Sequence, residues 1–167
     1  MPISKNLILI RHTKSSWKDF SLSDFDRPIK KDRMNDATEV FNQLNDLKIR
    51  PDVLITSPAK RTVQTTKILC KAIGYSFEAV VKDMRLYETG YEEYLSVIRE
   101  IDQRNNTVVI IGHNPSLTTL CNYFHNVTIE HIPTTGVVWL SIESEDWQLL
   151  SNNHTSIKLF LHPTRKQ

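Results

Sequence analysis

Cysteine is scarce in this sequence. Cys70 and Cys121 stand alone, both in stretches that read as helical, and neither belongs to a CxxC pair. They read as reduced core thiols rather than a disulfide or a redox motif, the state expected of a cytoplasmic protein. Long apolar runs are missing too. Nothing approaches the ~20 residues that span a bilayer, and the opening MPISKNLILI lacks the long apolar core and small-residue cleavage site of a secretory leader. Its apolar part reads as a first strand. Charge of one sign is also lacking. A net charge of +2, with no basic stripe interleaved with aromatics, gives no ground for nucleic-acid or membrane binding. There is no internal repeat, low-complexity tract or linker, so residues 1–167 read as one domain. With 40% hydrophobic and 24% charged residues, that domain is long enough to bury a sizeable core, and a monomer is expected.

What is present alternates. Strand-like runs lie at 7–10, 52–56, 78–81, 107–111 and 136–142, with weaker ones at 147–150 and 157–161. Between them, 34–48 places Val40, Phe41, Leu44 and Leu47 on one helical face, and 58–73 does so with Val63, Ile68, Leu69 and Ala72 before a Gly74 cap. Thr89 and Glu92 have the spacing of a capping box ahead of a helix over 90–103, and a short helix is expected at 115–124. Strands without a polar face, alternating with helices, imply a sheet covered on both sides. The expected fold is a three-layer α/β/α sandwich around a mostly parallel sheet.

Ligand sites in such sheets form beyond the carboxyl ends of the strands. Three ends carry unusual residues. LILI runs into Arg11 and His12. LITSPAKR places Ser57 and Pro58 as helix cap and first helical residue, with Arg61 in the first turn or just beyond. VVIIGHNP turns at Gly112 and delivers His113, then Asn114 and Pro115 at a helix start. Singly, a strand-end histidine is most often a carbonyl's partner, and an arginine early in a helix is most often solvated. Together, two arginines, two histidines and two helix N-termini at one edge would repel one another unless an anion sat among them. A dianionic phosphoryl group fits, held by guanidinium forks.

These residues resemble a known family. RHTKSSW is similar to the Arg-His-Gly signature of the histidine phosphatase (phosphoglycerate mutase-like) superfamily, SPAKRTVQTT to its arginine motif, and GHNPSL to its second histidine. The short chain and RHTKSSW…SDFDRPI look most like the SixA-like phosphohistidine phosphatase branch. The resemblance implies that His12 is a nucleophile carrying a phosphohistidine intermediate, with Arg11, Arg61 and His113 around the phosphoryl oxygens. It implies no cofactor and no metal, in keeping with the absence of any metal-spaced His/Asp/Glu cluster. Glu88, in RLYETG, falls where the mutases carry a glutamate proton donor; it reads equally as a solvated loop residue. The implied substrate is a phosphorylated protein, phosphohistidine first. The alternatives are a small phosphate ester with Glu88 as acid, and a phosphate-binding module without turnover.

Some residues depart from the family pattern. Thr13 replaces the small residue after the histidine and adds a hydroxyl near the phosphate. Lys14 and Lys18 make the rim more basic, with Lys18 a candidate phosphate contact. Arg33 stands where relatives have glycine. Asp26 and Arg27 read as an ion pair pinning the loop after the first strand, and Tyr87, Tyr91 and Tyr94 as core or pocket-mouth residues. His125, His131, His154 and His162 share no spacing and are assigned no site.

Overall fold

Leu7 to Ile10 fall inside the first strand, β1 (Ser4–Arg11), and all four are fully buried. Strand side chains alternate. Leu7 and Leu9 therefore enter one apolar cluster and Ile8 and Ile10 another, on opposite faces of the sheet. Each face must be covered, and helices cover both. In this computed structural model, which describes residues 3–124, 128–152 and 154–164, helices α1 (Met34–Asp46) and α2 (Lys60–Ile73) close one face. They contribute Val40, Phe41, Leu44, Leu69 and Ile73. Helices α3 (Tyr91–Arg99) and α4 (Ser116–Phe124) close the other through Tyr94, Leu95, Ile98, Leu117 and Leu120. The α/β/α sandwich is as expected. His125 and residues 165–167 lie outside the described residues. Among the described residues, no helix is long and apolar enough to cross a membrane.

The remaining strands are β2 (Val53–Thr56), β3 (Val81–Lys82), β4 (Thr107–Gly112), β5 (Val137–Glu143) and β6 (Thr155–Leu161), in the order β3-β2-β4-β1-β5-β6. The first four of that order run parallel, and β5 and β6 are antiparallel at one edge. The register matters for function. Arg11 pairs with Gly112 and Thr56 with Ile111, so the three unusual strand ends finish side by side at the centre of one sheet edge.

Two apolar tracts are not strands. Half of 78–81 belongs to a 3-10 turn, Phe77–Ala79, and only Val81 of the tract pairs, in the two-residue strand Val81–Lys82. Tract 147–150 starts in another turn, Trp147–Leu149, because Trp147 buries its ring and spends its N–H groups on Gln103 Oε1 and the Asn105 carbonyl, both at 2.7 Å. At the amino end of β1, Lys5 is buried. Its ammonium is satisfied by the Gln103 and Asn105 carbonyls and Asn106 Oδ1 at 2.6, 3.1 and 2.9 Å.

Candidate active site

The end of β1 is held from two sides. Its Arg11 N–H donates to the Gly136 carbonyl at 3.0 Å, and the His12 N–H to the Gly112 carbonyl at 3.2 Å. The Thr135 N–H reaches the Arg11 and His12 carbonyls, both at 3.1 Å, from a left-handed backbone at φ 62°. A non-glycine residue there is strained and persists only where its surroundings hold it; the Thr135 hydroxyl is tied to Thr13 Oγ1 at 3.0 Å. The next residue must be glycine, since a Cβ on Gly136 would sit 2.6 Å from the Pro133 carbonyl.

His12 is buried, and its Nδ1 lies 2.7 Å from the Thr13 carbonyl. A carbonyl only accepts, so Nδ1 carries the proton and Nε2 keeps the lone pair. Burial pushes the imidazole down to about 3, against the Thr13 bond, with the charges of Arg61 and Arg11 adding to the depression. The ring is therefore neutral at ordinary pH. Thr13 is buried as well, its N–H on Thr65 Oγ1 at 2.9 Å and its hydroxyl on Thr135. It acts on His12 through its carbonyl.

The second strand end differs in detail from expectation. Helix α2 starts at Lys60 after an Ala59 cap in extended conformation, two residues later than the Ser57-Pro58 reading. Ser57 is not the cap residue: its hydroxyl accepts the Ala59 N–H at 3.4 Å and lies 2.8 Å from His113 Nε2. Arg61 is buried in the first turn of α2, where Asp24 holds it. Its two terminal nitrogens donate to the Asp24 carbonyl at 2.7 Å and to Asp24 Oδ2 at 3.0 Å. Tyr87 also donates to Oδ2, and Arg27 to Oδ1. The pinning ion pair is thus Asp24–Arg27, not Asp26–Arg27; Asp26 accepts from Ser23 Oγ. An i,i+3 pair faces across a 3-10 turn, here Asp24–Asp26, whereas adjacent residues diverge. Burial raises the Asp24 carboxyl, but the bonds from Tyr87, Arg27 and Arg61 outweigh it and hold the group at about 2.

At the third end, Tyr94 reaches under the strand from α3. Its hydroxyl donates to the Leu86 carbonyl at 2.8 Å and accepts the His113 N–H at 3.1 Å. Gly112 is required, because any Cβ would run into that hydroxyl. The His12 and His113 rings are 5.3 Å apart, and Tyr87 stands edge-on to His113 at 5.6 Å. Burial, then the charge of Arg61, lowers His113 to about 4. Asn114 ties the same Ile132 carbonyl that takes Arg11 Nη1, at 2.8 and 3.0 Å, and accepts the Thr118 N–H of α4. At this edge two buried polar atoms, Arg11 Nε and His113 Nδ1, have no hydrogen-bond partner among the described residues.

The structure thus gathers Arg11, His12, Arg61 and His113. Glu88 is exposed with a left-handed backbone (φ 52°), and lines a pocket of about 350 Å³ with Asp24, Arg61, Tyr87 and His113. Lys18 is exposed and lines two other grooves, with Trp17 and Lys30, rather than the pocket beside His113. Thr89 does not form the capping box: its hydroxyl turns back to the Arg85 carbonyl, and Gly90 caps α3. Asp24, Ser57 and Thr135 are the site residues that sequence reasoning missed or misassigned.

A parallel-sheet edge so rich in cationic and donor groups, on this sandwich, suits a bound phosphoryl group. Residues 7–96, more than half of the sequence, match the histidine phosphatase superfamily (branch 1), and the chain belongs to that family. It is similar to a crystal structure from Agrobacterium tumefaciens assigned to the phosphohistidine phosphatase SixA, with 26% identity, TM-score 0.80 and 98% and 99% of the two chains covered. It shares its fold with the protein histidine phosphatase SixA complexed with tungstate, at 16% identity and TM-score 0.76 over 95% and 97% of the chains. An uncharacterised chloroplastic protein of Arabidopsis thaliana is 28% identical over 154 residues, 87% of this chain and 70% of that one.

Proposed function

We propose that this phosphatase acts on phosphohistidine in proteins, through a covalent phosphohistidine on His12. The observation that carries the reading is the state of His12: neutral, with Nδ1 fixed on the Thr13 carbonyl and Nε2 left with its lone pair beside two guanidinium groups. In the first step Nε2 attacks phosphorus and the bond to the substrate's imidazole breaks, that imidazole leaving with a proton from water. In the second, water attacks the phosphohistidine, inorganic phosphate departs and His12 regains its lone pair. Arg11, Arg61 and His113 bind the phosphoryl oxygens and spread the transition-state charge. The unpartnered Arg11 Nε and His113 Nδ1 supply unused hydrogen-bonding capacity at that place. The likeness to the A. tumefaciens SixA structure supports the substrate class.

Glu88 favours a second reading, hydrolysis of small phosphate esters, because its carboxyl stands on the wall of the same pocket as His113. An alkoxide leaving group needs an acid, whereas imidazole departs with less help. Wild type, His12→Ala and Glu88→Gln assayed on free phosphohistidine and on an aryl phosphate separate the readings. Phosphohistidine turnover that survives Glu88→Gln and vanishes in His12→Ala supports the first. Preference for the ester, lost in Glu88→Gln, supports the second. Phosphate binding without turnover of either substrate would contradict both.

A further inference from the structure

Two adjoining grooves of about 460 and 390 Å³ run along the segment that follows His12. They share Ser16, Lys18 and Lys30, and Lys14 and Lys31 stand on their walls. Among the described residues, none of these four lysines has a carboxylate within ion-pair distance. Two large aromatics project beside them, Trp17 at 64% and Phe20 at 89% exposure. Exposed aromatics grouped with free cations are the composition of an interaction surface.

This surface is joined to the phosphoryl site by rigid contacts. The Ser15–Ile29 bridge and the Lys30 N–H on the Lys14 carbonyl (2.8 Å) hold the two sides of the segment together. Arg27 is buried and lies 3.2 Å from the centre of the Trp17 ring, while its guanidinium also binds Asp24, the residue that holds Arg61. Trp17 is thereby kept in place on the surface without burial.

We propose that Trp17, Phe20, Lys14, Lys30 and Lys31 form a docking surface for the acidic face of a folded protein that presents its phosphorylated side chain to the site. This rests on the phosphohistidine reading and names the partner's chemistry. The lysines supply the charge complementarity and the aromatics the anchors. Asp19 and Asp32 lie among the lysines in sequence, which suits the mixed charges of a protein face better than a uniformly anionic bilayer.

Free phosphohistidine and a histidine-phosphorylated, acidic helical domain offer the same phosphorus–nitrogen bond at two sizes. The Phe20→Ser/Lys31→Glu double variant is expected to lower kcat/KM on the domain about tenfold, through KM, and to leave free phosphohistidine unchanged. Added salt should weaken the wild type's preference for the domain. Equal effects on both substrates, or none, would overturn the proposal. Should wild type hydrolyse an aryl phosphate but neither phosphohistidine, the substrate reading fails. The docking surface is then judged by binding of the acidic domain to His12→Ala, which must weaken when Phe20→Ser/Lys31→Glu is added. Unchanged binding refutes it, as does Phe20-dependent capture on phosphatidylglycerol vesicles without binding of the domain.

Discussion

Two buried neutral histidines make the stability of this fold depend on pH in a calculable way. In the unfolded chain His12 and His113 titrate near the ordinary 6.5; in the fold, burial holds them down to about 3 and about 4. Between those values the unfolded state binds more protons, so stability from this source is complete above pH 6.5 and is lost as pH falls toward 4 and then 3. At about pH 5 each histidine has lost roughly 1.5 pKa units of advantage, or about 2 kcal/mol, and the pair about 4 kcal/mol. Asp24, held at about 2, loses its contribution only below the ordinary carboxyl range and does not enter at pH 5. Urea denaturation near neutrality and at about pH 5 measures the loss in wild type, and the same pair of curves for His113→Asn isolates one histidine. The variant is less stable at neutrality, but its loss on acidification should be smaller by about 2 kcal/mol. An identical loss in both proteins would refute the claim that these rings are buried in the neutral form.

Other substitutions test single contacts. Asp24→Asn removes the carboxylate that competes with a phosphoryl group for Arg61; inorganic phosphate should then inhibit more tightly by about 1 kcal/mol, roughly fivefold, and a higher inhibition constant would count against that competition. Tyr94→Phe leaves the His113 N–H without its acceptor and should cost about 1–2 kcal/mol on denaturation, with a lower kcat at unchanged KM. Lys5→Ala removes three hydrogen bonds and a buried side chain at the amino end of β1; it should lower stability by about 2–3 kcal/mol while kcat/KM, measured well below the melting temperature, stays at the wild-type value.

The sequence was most legible where one physical signal dominated. Leu7–Ile10 and Val108–Ile111 have no polar face, and a strand buried on both sides was the simple consequence. The order of elements then brought Arg11, His12 and His113 to one edge. Legibility failed where a side chain chose between two local partners. Ser57 reads as a helix cap, but α2 starts two residues later, and the Ser57 hydroxyl is left to meet His113 Nε2 as well as the Ala59 N–H. Thr89 could cap α3 or turn back on Arg85. Asp24 and Asp26 flank Phe25 identically in sequence, and only the 3-10 turn aims the first at Arg27 and Arg61. Thr135 gave no local signal, because its left-handed backbone is imposed by Arg11, His12 and Thr13, more than a hundred residues away.

The nucleophilic role of His12 is tested most directly by trapping the enzyme during turnover of an aryl phosphate or phosphohistidine and mapping any bound phosphate by mass spectrometry under alkaline conditions. An acid-labile phosphoryl group on His12, absent from His12→Ala and formed fast enough to account for turnover, is the predicted result. Turnover with no phosphoryl group on His12, or with one on His113 instead, would contradict it.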